Sequence, residues 1–287
     1  MIYDFYGVIL IGNLERMRKK TLHKTVLITG ATSGIGLLIA NQLHEKGFKV
    51  YGTSRTPEKY KNTVPFDLLE LDVTSEGSIR NCVDILISKT KAIDVLINNA
   101  GVGICGTAEE TSVEQAFKQF ETNFWGVVNI TKAILPVMRQ QHFGNIITIG
   151  SLAGLIGVPF QSYYSASKHA LEGFFKSLKF EVIPFNIKIS VVEPGFFKTN
   201  LHNAFEYAEP TVSDYDKMRN RSLRILSDSI EKAETPESVA RVILKIINSK
   251  NPGYSYRVGK NSKLAPMLQF LFYRLYEFGT RIKFRLY

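Results

Sequence analysis

Short apolar runs alternate with amphipathic stretches through most of the chain. The first run, TVLIT at residues 25–29, predicts a buried strand because it is unbroken and rich in β-branched residues. Comparable runs begin at residues 49, 67, 93, 144, 186 and 253, with helical patterns between most of them. This alternation predicts an α/β fold in which a doubly wound, seven-stranded parallel sheet of the Rossmann type carries helices on both faces.

A glycine-containing turn joins the first predicted strand to the first predicted helix. In GATSGIG the glycines are Gly30, Gly34 and Gly36, and the helix that follows ends at Gly47. Glycine allows a backbone to approach a diphosphate closely, and the N-terminal end of a helix carries the partial positive charge that attracts one. The turn therefore predicts a dinucleotide site.

The ends of the next two strands extend this predicted site. The end of the second strand meets the adenosine ribose in such folds, and an acidic residue there favours NAD. Ser54 and Arg55 occupy this end, and a guanidinium beside a neutral residue suits a 2′-phosphate, so we expect NADP. The alternative is that Arg55 is a solvated loop residue. At the end of the third strand we expect Asp72 to contact the adenine edge, to cap the helix that begins near Ser75, or to do both.

The fourth strand ends in NNAG, which runs from Asn98 to Gly101. Ligands of parallel sheets bind beyond the carboxyl ends of the strands. We therefore expect Gly30, Arg55, Asp72 and Asn98 to meet at one site.

Residues 151–168 hold three groups that can act on one oxygen atom. Ser151 lies at the carboxyl end of the fifth strand, and Tyr164 and Lys168 share one face of a predicted helix. A phenol, an ammonium and a hydroxyl at one point form a proton-transfer site. An ammonium about 4 Å from the phenol would lower the phenol pKa by roughly 3 units at an effective dielectric constant of about 20. The alternative is a chance Tyr–Lys pair on a solvated helix face.

These features occur together in one known family. The chain contains, in this order, TGATSGIG, NNAG, Asn123 within ETNFWGV, Ser151, YSASK and PGFFKT. In this order and spacing the chain resembles the short-chain dehydrogenase/reductase family over roughly residues 24–260. The segment at residues 162–195 is similar to the branch that includes 17β-hydroxysteroid dehydrogenase type 1 and the retinol dehydrogenases. The resemblance implies a single NADP-binding catalytic domain.

The resemblance also implies a role for each member of a catalytic tetrad. Tyr164 would exchange a proton with the substrate oxygen, and Ser151 would hydrogen-bond that oxygen. Lys168 would hold the nicotinamide ribose and lower the pKa of Tyr164, and Asn123 would hold a water that links Lys168 to solvent. The complete expected cofactor-binding set is Gly30, Thr32, Ser33, Gly34, Ile35, Gly36, Ser54, Arg55, Asp72, Val73, Asn99, Ala100, Gly101, Tyr164, Lys168, Pro194, Gly195 and Thr199, of which the last three lie at the nicotinamide end.

Two segments outside these motifs are expected to select the substrate. Residues 196–232 are weakly patterned, and a long insertion after the sixth strand usually covers a site as a lid. Its aromatic residues indicate an apolar substrate, unless they pack on the core. In the basic tail at residues 261–287, Leu264 to Phe278 has the spacing of an amphipathic helix about 22 Å long, which is too short to span a bilayer. We expect the tail to lie in a membrane interface, to cover the substrate cleft or to pack on a partner subunit.

Charge and cysteine content narrow the class of protein. The net charge is +10, but no nucleic-acid-reading motif accompanies the basic clusters near the two ends, so we expect no nucleic-acid partner. Cys82 and Cys105 fit neither a metal site nor a disulfide framework, which indicates a reducing, cytoplasmic compartment. The N-terminal extension, residues 1–23, has an apolar part too short to span a membrane, so we expect it to pack on protein or to anchor weakly.

Together these features predict an NADP-dependent oxidoreductase that transfers a hydride between the nicotinamide and an alcohol or ketone of a lipophilic substrate, such as a steroid, a retinoid or a long-chain lipid. We expect a homo-oligomer, cytoplasmic with or without peripheral membrane contact. Three alternatives are open: an enzyme of another family branch with a smaller carbonyl substrate, a catalytically idle NADP-binding sensor or scaffold, and a peripheral lipid-binding protein.

Overall fold

A parallel sheet forms the centre of the molecule. The computed structural model describes residues 24–198, 205–260 and 262–286. Its strands are β1 (Thr25–Ile28), β2 (Lys49–Ser54), β3 (Asp67–Glu70), β4 (Val95–Asn98), β5 (Gly103–Cys105), β6 (Gly144–Ile149), β7 (Ile187–Pro194), β8 (Phe205–Tyr207) and β9 (Ser255–Val258). Seven of them pair in parallel in the order β3-β2-β1-β4-β6-β7-β9, and β5 pairs with β8 in a separate small sheet. The predicted seven-stranded doubly wound sheet is thus confirmed.

Helices cover both faces of this sheet. They are α1 (Gly34–Glu45), α2 (Glu76–Lys89), α3 (Val113–Phe120), α4 (Gly126–Gln141), α5 (Ser162–Glu181), α6 (Asp216–Glu231), α7 (Glu237–Asn248), α8 (Leu264–Leu271) and α9 (Tyr273–Phe284). Side chains of α2, α4 and α5 form one hydrophobic cluster with the sheet, and side chains of α1 and α7 form a second cluster with its other face.

Successive residues of a strand contribute alternately to these two clusters. Val26 and Ile28 belong to the cluster with α1 and α7, whereas Leu27 belongs to the cluster on the opposite face, and all three side chains are fully buried. Successive strand residues point to opposite faces of a sheet, so an unbroken apolar run is what a strand covered on both sides requires.

A π-helical turn separates α3 from α4. Between the two helices the backbone stays helical but widens into a π turn from Glu121 to Trp125. Single π turns insert one extra residue into a helix and are frequent at functional sites, because they change the direction of the side chains they carry. Asn123 sits on this turn and is fully buried.

The segment after β7 contains more regular structure than its sequence pattern indicates. Residues 199–204 lie outside the described residues, and α6 and β8 follow them. The inward side of α6 includes Arg219 and Ser222 as well as Leu226 and Ile230, so its apolar periodicity is weak. Arg219 forms ion pairs with Asp216 and with buried Glu110 in the loop before α3, which explains why a charged residue is buried there.

The tail folds as two helices instead of one. Phe272 interrupts the predicted helix with backbone angles of −139° and 60°; its amide donates to the last turn of α8 and its carbonyl accepts from the first turn of α9. Within the described ranges, no helix combines the length and apolar character needed to cross a bilayer.

Candidate active site

The glycine turn after β1 has a backbone geometry that does not accommodate larger residues. Gly30 and Gly34 have positive φ angles of +65° and +52°, a region that residues with a Cβ atom rarely adopt. Gly36 is required for space, because a Cβ atom there would lie 2.3 Å from the Asn99 side-chain nitrogen and from the Gly30 carbonyl oxygen. Gly36 therefore lies behind the turn and supports it, whereas Gly30 and Gly34 line the cavity described below.

Thr29 and Asn99 hold this turn against the end of β4. The Asn99 side-chain amide donates to the carbonyl oxygens of Thr29 (3.0 Å) and Gly30 (2.9 Å). In return the Thr29 hydroxyl accepts hydrogen bonds from the backbone amides of Asn99 (2.9 Å) and Ala100 (3.0 Å). Sequence reasoning missed Thr29, although its place between a buried strand and a glycine turn was the available signal.

The ends of β2 and β3 bring a cation and a carboxylate together. Arg55 is exposed and Asp72 is half-buried, and both line the cavity. Burial raises the pKa of the Asp72 carboxyl, but hydrogen bonds from Thr74 and the charge of Arg55 outweigh it and lower the pKa below its usual range. The expectation that Asp72 caps α2 is wrong: its carboxylate accepts from the Thr74 amide (2.9 Å), and Ser75 caps the helix instead.

Asn98 is the strand-end residue that does not join the site. Its side-chain amide donates to the hydroxyls of Thr131 (3.0 Å) and Thr148 (3.3 Å), in the buried layer between the sheet and α4. Adjacent strand residues point to opposite faces, so Asn98 and Asn99 cannot both face the cavity. The expectation that Asn98 meets the ligand is therefore wrong, and Asn99 takes that place.

Ser151, Tyr164 and Lys168 come together at the ends of β6 and α5. The Lys168 ammonium donates to the Ile149 carbonyl oxygen (3.0 Å) and lies 5.9 Å from the centroid of the Tyr164 ring. Burial lowers the pKa of Lys168 to about 8. Burial also raises the pKa of Tyr164, against a hydrogen bond from the Ser151 hydroxyl that lowers it. The predicted lowering of the Tyr164 pKa is wrong for the protein alone, because desolvation of the phenolate outweighs its favourable contacts.

Asn123 lies behind Lys168. Its side chain pairs with the backbone of Val102, accepting from the amide (2.8 Å) and donating to the carbonyl (2.9 Å), and also donates to the Ser167 hydroxyl (3.3 Å). A Cβ atom on Gly101 would lie 3.2 Å from the Asn123 oxygen and 3.9 Å from the Lys168 nitrogen, so Gly101 separates the two side chains. Ser167, one residue before the lysine, is a contact that the sequence analysis did not identify.

One cavity of about 1060 Å³ connects these groups. Thr199 lies outside the described residues, and Gly36 and Asn123 stand behind the cavity wall. All other members of the expected catalytic tetrad and cofactor-binding set line it: Gly30, Thr32, Ser33, Gly34, Ile35, Ser54, Arg55, Asp72, Val73, Asn99, Ala100, Gly101, Ser151, Tyr164, Lys168, Pro194 and Gly195.

Apolar side chains line another part of the cavity, which is called its apolar end below. Phe196 and Phe205, from the segment after β7, line this end together with Leu268 and Tyr276 of the tail helices. The Tyr276 hydroxyl donates to the Gly157 carbonyl oxygen (2.8 Å), and the Gln269 amide donates to that of Leu155 (3.3 Å). The inner side of the tail thus covers the cleft, which is one of the three positions the sequence left open.

This combination of a diphosphate-type turn, a Ser–Tyr–Lys group and one connecting cavity defines a nicotinamide-dependent oxidoreductase. The family model for short chain dehydrogenases matches residues 24–209, and the chain belongs to that family. It is therefore an oxidoreductase of alcohol and carbonyl groups, as its motifs predict.

Three known proteins place the chain within that family. It is 43% identical over 249 residues to 3-ketodihydrosphingosine reductase of Bacteroides thetaiotaomicron, covering 86% of this chain and 90% of that protein. It is 37% identical over 268 residues to retinol dehydrogenase 8 of Bos taurus, covering 85% and 84% of the two chains. The structure of ElxO with NADP bound matches with a TM-score of 0.70 and 30% identity, covering 82% of this chain and 96% of that one. The predicted likeness to the retinol dehydrogenase branch is confirmed.

Proposed function

We propose that the protein is an NADP(H)-dependent oxidoreductase that transfers a hydride between the nicotinamide and an alcohol or ketone of a lipophilic substrate. The observation that carries this proposal is one continuous cavity whose wall includes Arg55, Tyr164 and apolar side chains of the tail. The names of two relatives support it, since dihydrosphingosine and retinol are both lipids.

The cofactor half of the cavity fits a dinucleotide phosphate. Gly30 and Gly34 at the N-terminal end of α1 suit the diphosphate, because backbone approaches closely there and the helix end attracts negative charge. Arg55 would bind the 2′-phosphate, and Asp72 would face the adenine. Lys168 would hold the nicotinamide ribose, with Pro194, Gly195 and Thr199 close to the nicotinamide. The bound cofactor supplies or accepts the hydride.

Tyr164 would be the general acid when a ketone is reduced. Its raised pKa keeps the phenol protonated at neutral pH, so it starts with a proton to donate. The Ser151 hydroxyl would hydrogen-bond the substrate oxygen, and the Lys168 ammonium would stabilise the phenolate that donation leaves. Asn123 would hold a water on the route by which Lys168 exchanges protons with solvent.

The remaining parts of the chain would control substrate access. Residues 24–260 would form the catalytic domain, with residues 196–232 as a lid and residues 261–287 as a tail that closes the apolar end. The mixture of cofactor groups and apolar wall in one cavity favours turnover over a binding-only role. We also propose that the enzyme is a homo-oligomer.

Replacing Tyr164 tests the proposed reaction. Wild-type protein is mixed with NADPH and lipophilic ketones, and loss of the nicotinamide absorbance is followed. Tyr164→Phe should lower kcat by roughly 10²–10⁴-fold, because it removes the general acid, while NADPH affinity is unchanged. Tyr163→Phe removes the same hydroxyl from the neighbouring half-buried residue and should keep full turnover. Equal activity in both variants refutes the role of Tyr164, and wild-type binding of NADPH without turnover of any ketone or alcohol favours the sensor alternative.

A further inference from the structure

The tail helices expose an unusual amount of apolar surface. Of the seventeen large hydrophobic side chains exposed in the described residues, nine fall within residues 264–282. Phe270 is 88% exposed, and Phe272, Tyr273 and Phe278 are each near 60%. Large exposed apolar surfaces mark sites that bind another protein or a membrane, because leaving them in water is unfavourable.

This exposed surface continues into the cavity. Leu264 and Leu275 are 48% and 57% exposed, yet both also line the cavity that contains Tyr164. Leu268 and Tyr276, on the same two helices, line it from half-buried positions. The outer face of the tail and the apolar end of the cavity are therefore parts of one surface, and they meet at the cavity mouth.

The charge of the tail distinguishes between a protein partner and a membrane. Residues 262–286 include five basic side chains, Lys263, Arg274, Arg281, Lys283 and Arg285, but one acidic side chain, Glu277. A symmetric contact with a second copy would bring the same positive charges to both sides of the interface. Anionic phospholipid headgroups complement them.

We propose that α8 and α9 dock on the surface of an anionic phospholipid bilayer, with the cavity mouth against the lipid. Their 8 and 12 residues correspond to roughly 12 and 18 Å, which suits helices that lie in the interface and not across the membrane. The inference extends the proposed function, because a lipophilic substrate would pass from the bilayer to Tyr164 without crossing water.

Vesicle binding tests the docking surface. Full-length protein is sedimented with vesicles of phosphatidylcholine, with and without phosphatidylserine. We expect the anionic vesicles to bind at least about tenfold more tightly. Phe270→Glu combined with Phe272→Glu should weaken that binding by about tenfold or more, since each change removes an exposed aromatic side chain that would be buried in the bilayer.

The matched control makes the same charge change elsewhere. Phe117 on α3 and Phe180 on α5 are 66% and 70% exposed, so Phe117→Glu combined with Phe180→Glu alters net charge equally and should preserve binding. Equal weakening in both double variants overturns the proposal. Dissociation of an oligomer by the tail variant, with vesicle binding intact, also overturns it and assigns the face to a second copy.

A fluorescence measurement locates the cavity mouth independently. The chain has one tryptophan, Trp125, so Leu275→Trp in a Trp125→Phe background places a single reporter at the mouth. Brominated phosphatidylcholine in anionic vesicles should quench this reporter. Binding without quenching overturns the proposed orientation. Neither measurement uses turnover, so their outcome is separate from that of the proposed reaction, and unchanged NADPH affinity shows that each variant is folded.

Discussion

The two ends of the cavity are held in different ways. At the cofactor end, Asn99 and Thr29 join the glycine turn to β4 through four hydrogen bonds, and Gly36 leaves room for the Asn99 side chain. At the substrate end, side-chain hydrogen bonds from Gln269 and Tyr276 join the tail helices to residues 155–157. The difference indicates that a fixed cofactor needs a rigid backbone, whereas a wall that faces an apolar substrate can be locally less stable.

The largest effect on stability is expected from filling the space at Gly36. In Gly36→Ala the added methyl group would overlap the Asn99 side chain and the Gly30 carbonyl, so the turn must shift. We expect a loss of about 3 kcal/mol in the free energy of unfolding and a rise of about tenfold or more in the Kd for NADPH. Denaturant titration and NADPH fluorescence measure the two quantities. Gly77→Ala on α2, where a Cβ atom meets nothing within 4 Å, is the control and should have neither effect.

Arg55 tests how the same end selects its cofactor. Arg55→Ala should raise the ratio of the NADPH Kd to the NADH Kd by roughly tenfold or more, because a charge-assisted hydrogen bond to the 2′-phosphate is lost. Titration of both cofactors measures this ratio. Lys59→Ala removes an exposed cation from the same loop and should leave the ratio near its wild-type value. An unchanged ratio in Arg55→Ala means that Arg55 is a solvated loop residue.

Glu193 tests whether the rigid packing beside the cofactor end lowers the stability of the folded protein. This side chain on β7 is fully buried next to Pro194, and burial raises its pKa to about 7. Between about pH 4.5 and 7 the folded protein keeps a proton that the unfolded chain has lost, so stability falls as pH rises through this window.

Replacement of this carboxylate removes the titration. Across that window we expect the free energy of unfolding of Glu193→Gln to fall by about 2 kcal/mol less than that of wild type. Denaturant unfolding at several pH values measures this difference. The exposed control Glu181→Gln should keep the wild-type pH dependence. The assignment fails if the Glu193 variant loses stability with pH as steeply as wild type does.

The smallest effect is expected at the tail. Tyr276→Phe removes the hydrogen bond to the Gly157 carbonyl and should cost about 1 kcal/mol of stability or less. It should raise KM for a lipophilic substrate several-fold while NADPH affinity stays constant. Tyr273→Phe, on an exposed side chain of the same helix, is the control. A loss of NADPH affinity in Tyr276→Phe would show that the two ends of the cavity are not independent.

Much of the cofactor end could be predicted because its signals are local. A β-branched run, a glycine turn and a helix are adjacent in the chain, so Gly30, Gly34 and the start of α1 follow from short-range rules. The one-turn spacing of Tyr164 and Lys168 is equally local. The same approach misassigned Asn98, because which of two adjacent strand-end residues faces the ligand depends on the register of β4 in the sheet.

The sequence by itself determined the fold class, the family motifs and the groups available for proton transfer, since these depend on periodicity and on short spacings. Tertiary structure alone decided that burial dominates the pKa of Tyr164, that a π turn carries Asn123 and that α6 buries Arg219 against Glu110. It also decided that the tail breaks at Phe272 and joins the cavity wall. Each of these results depends on groups distant in the chain, whose desolvation and packing no local pattern records.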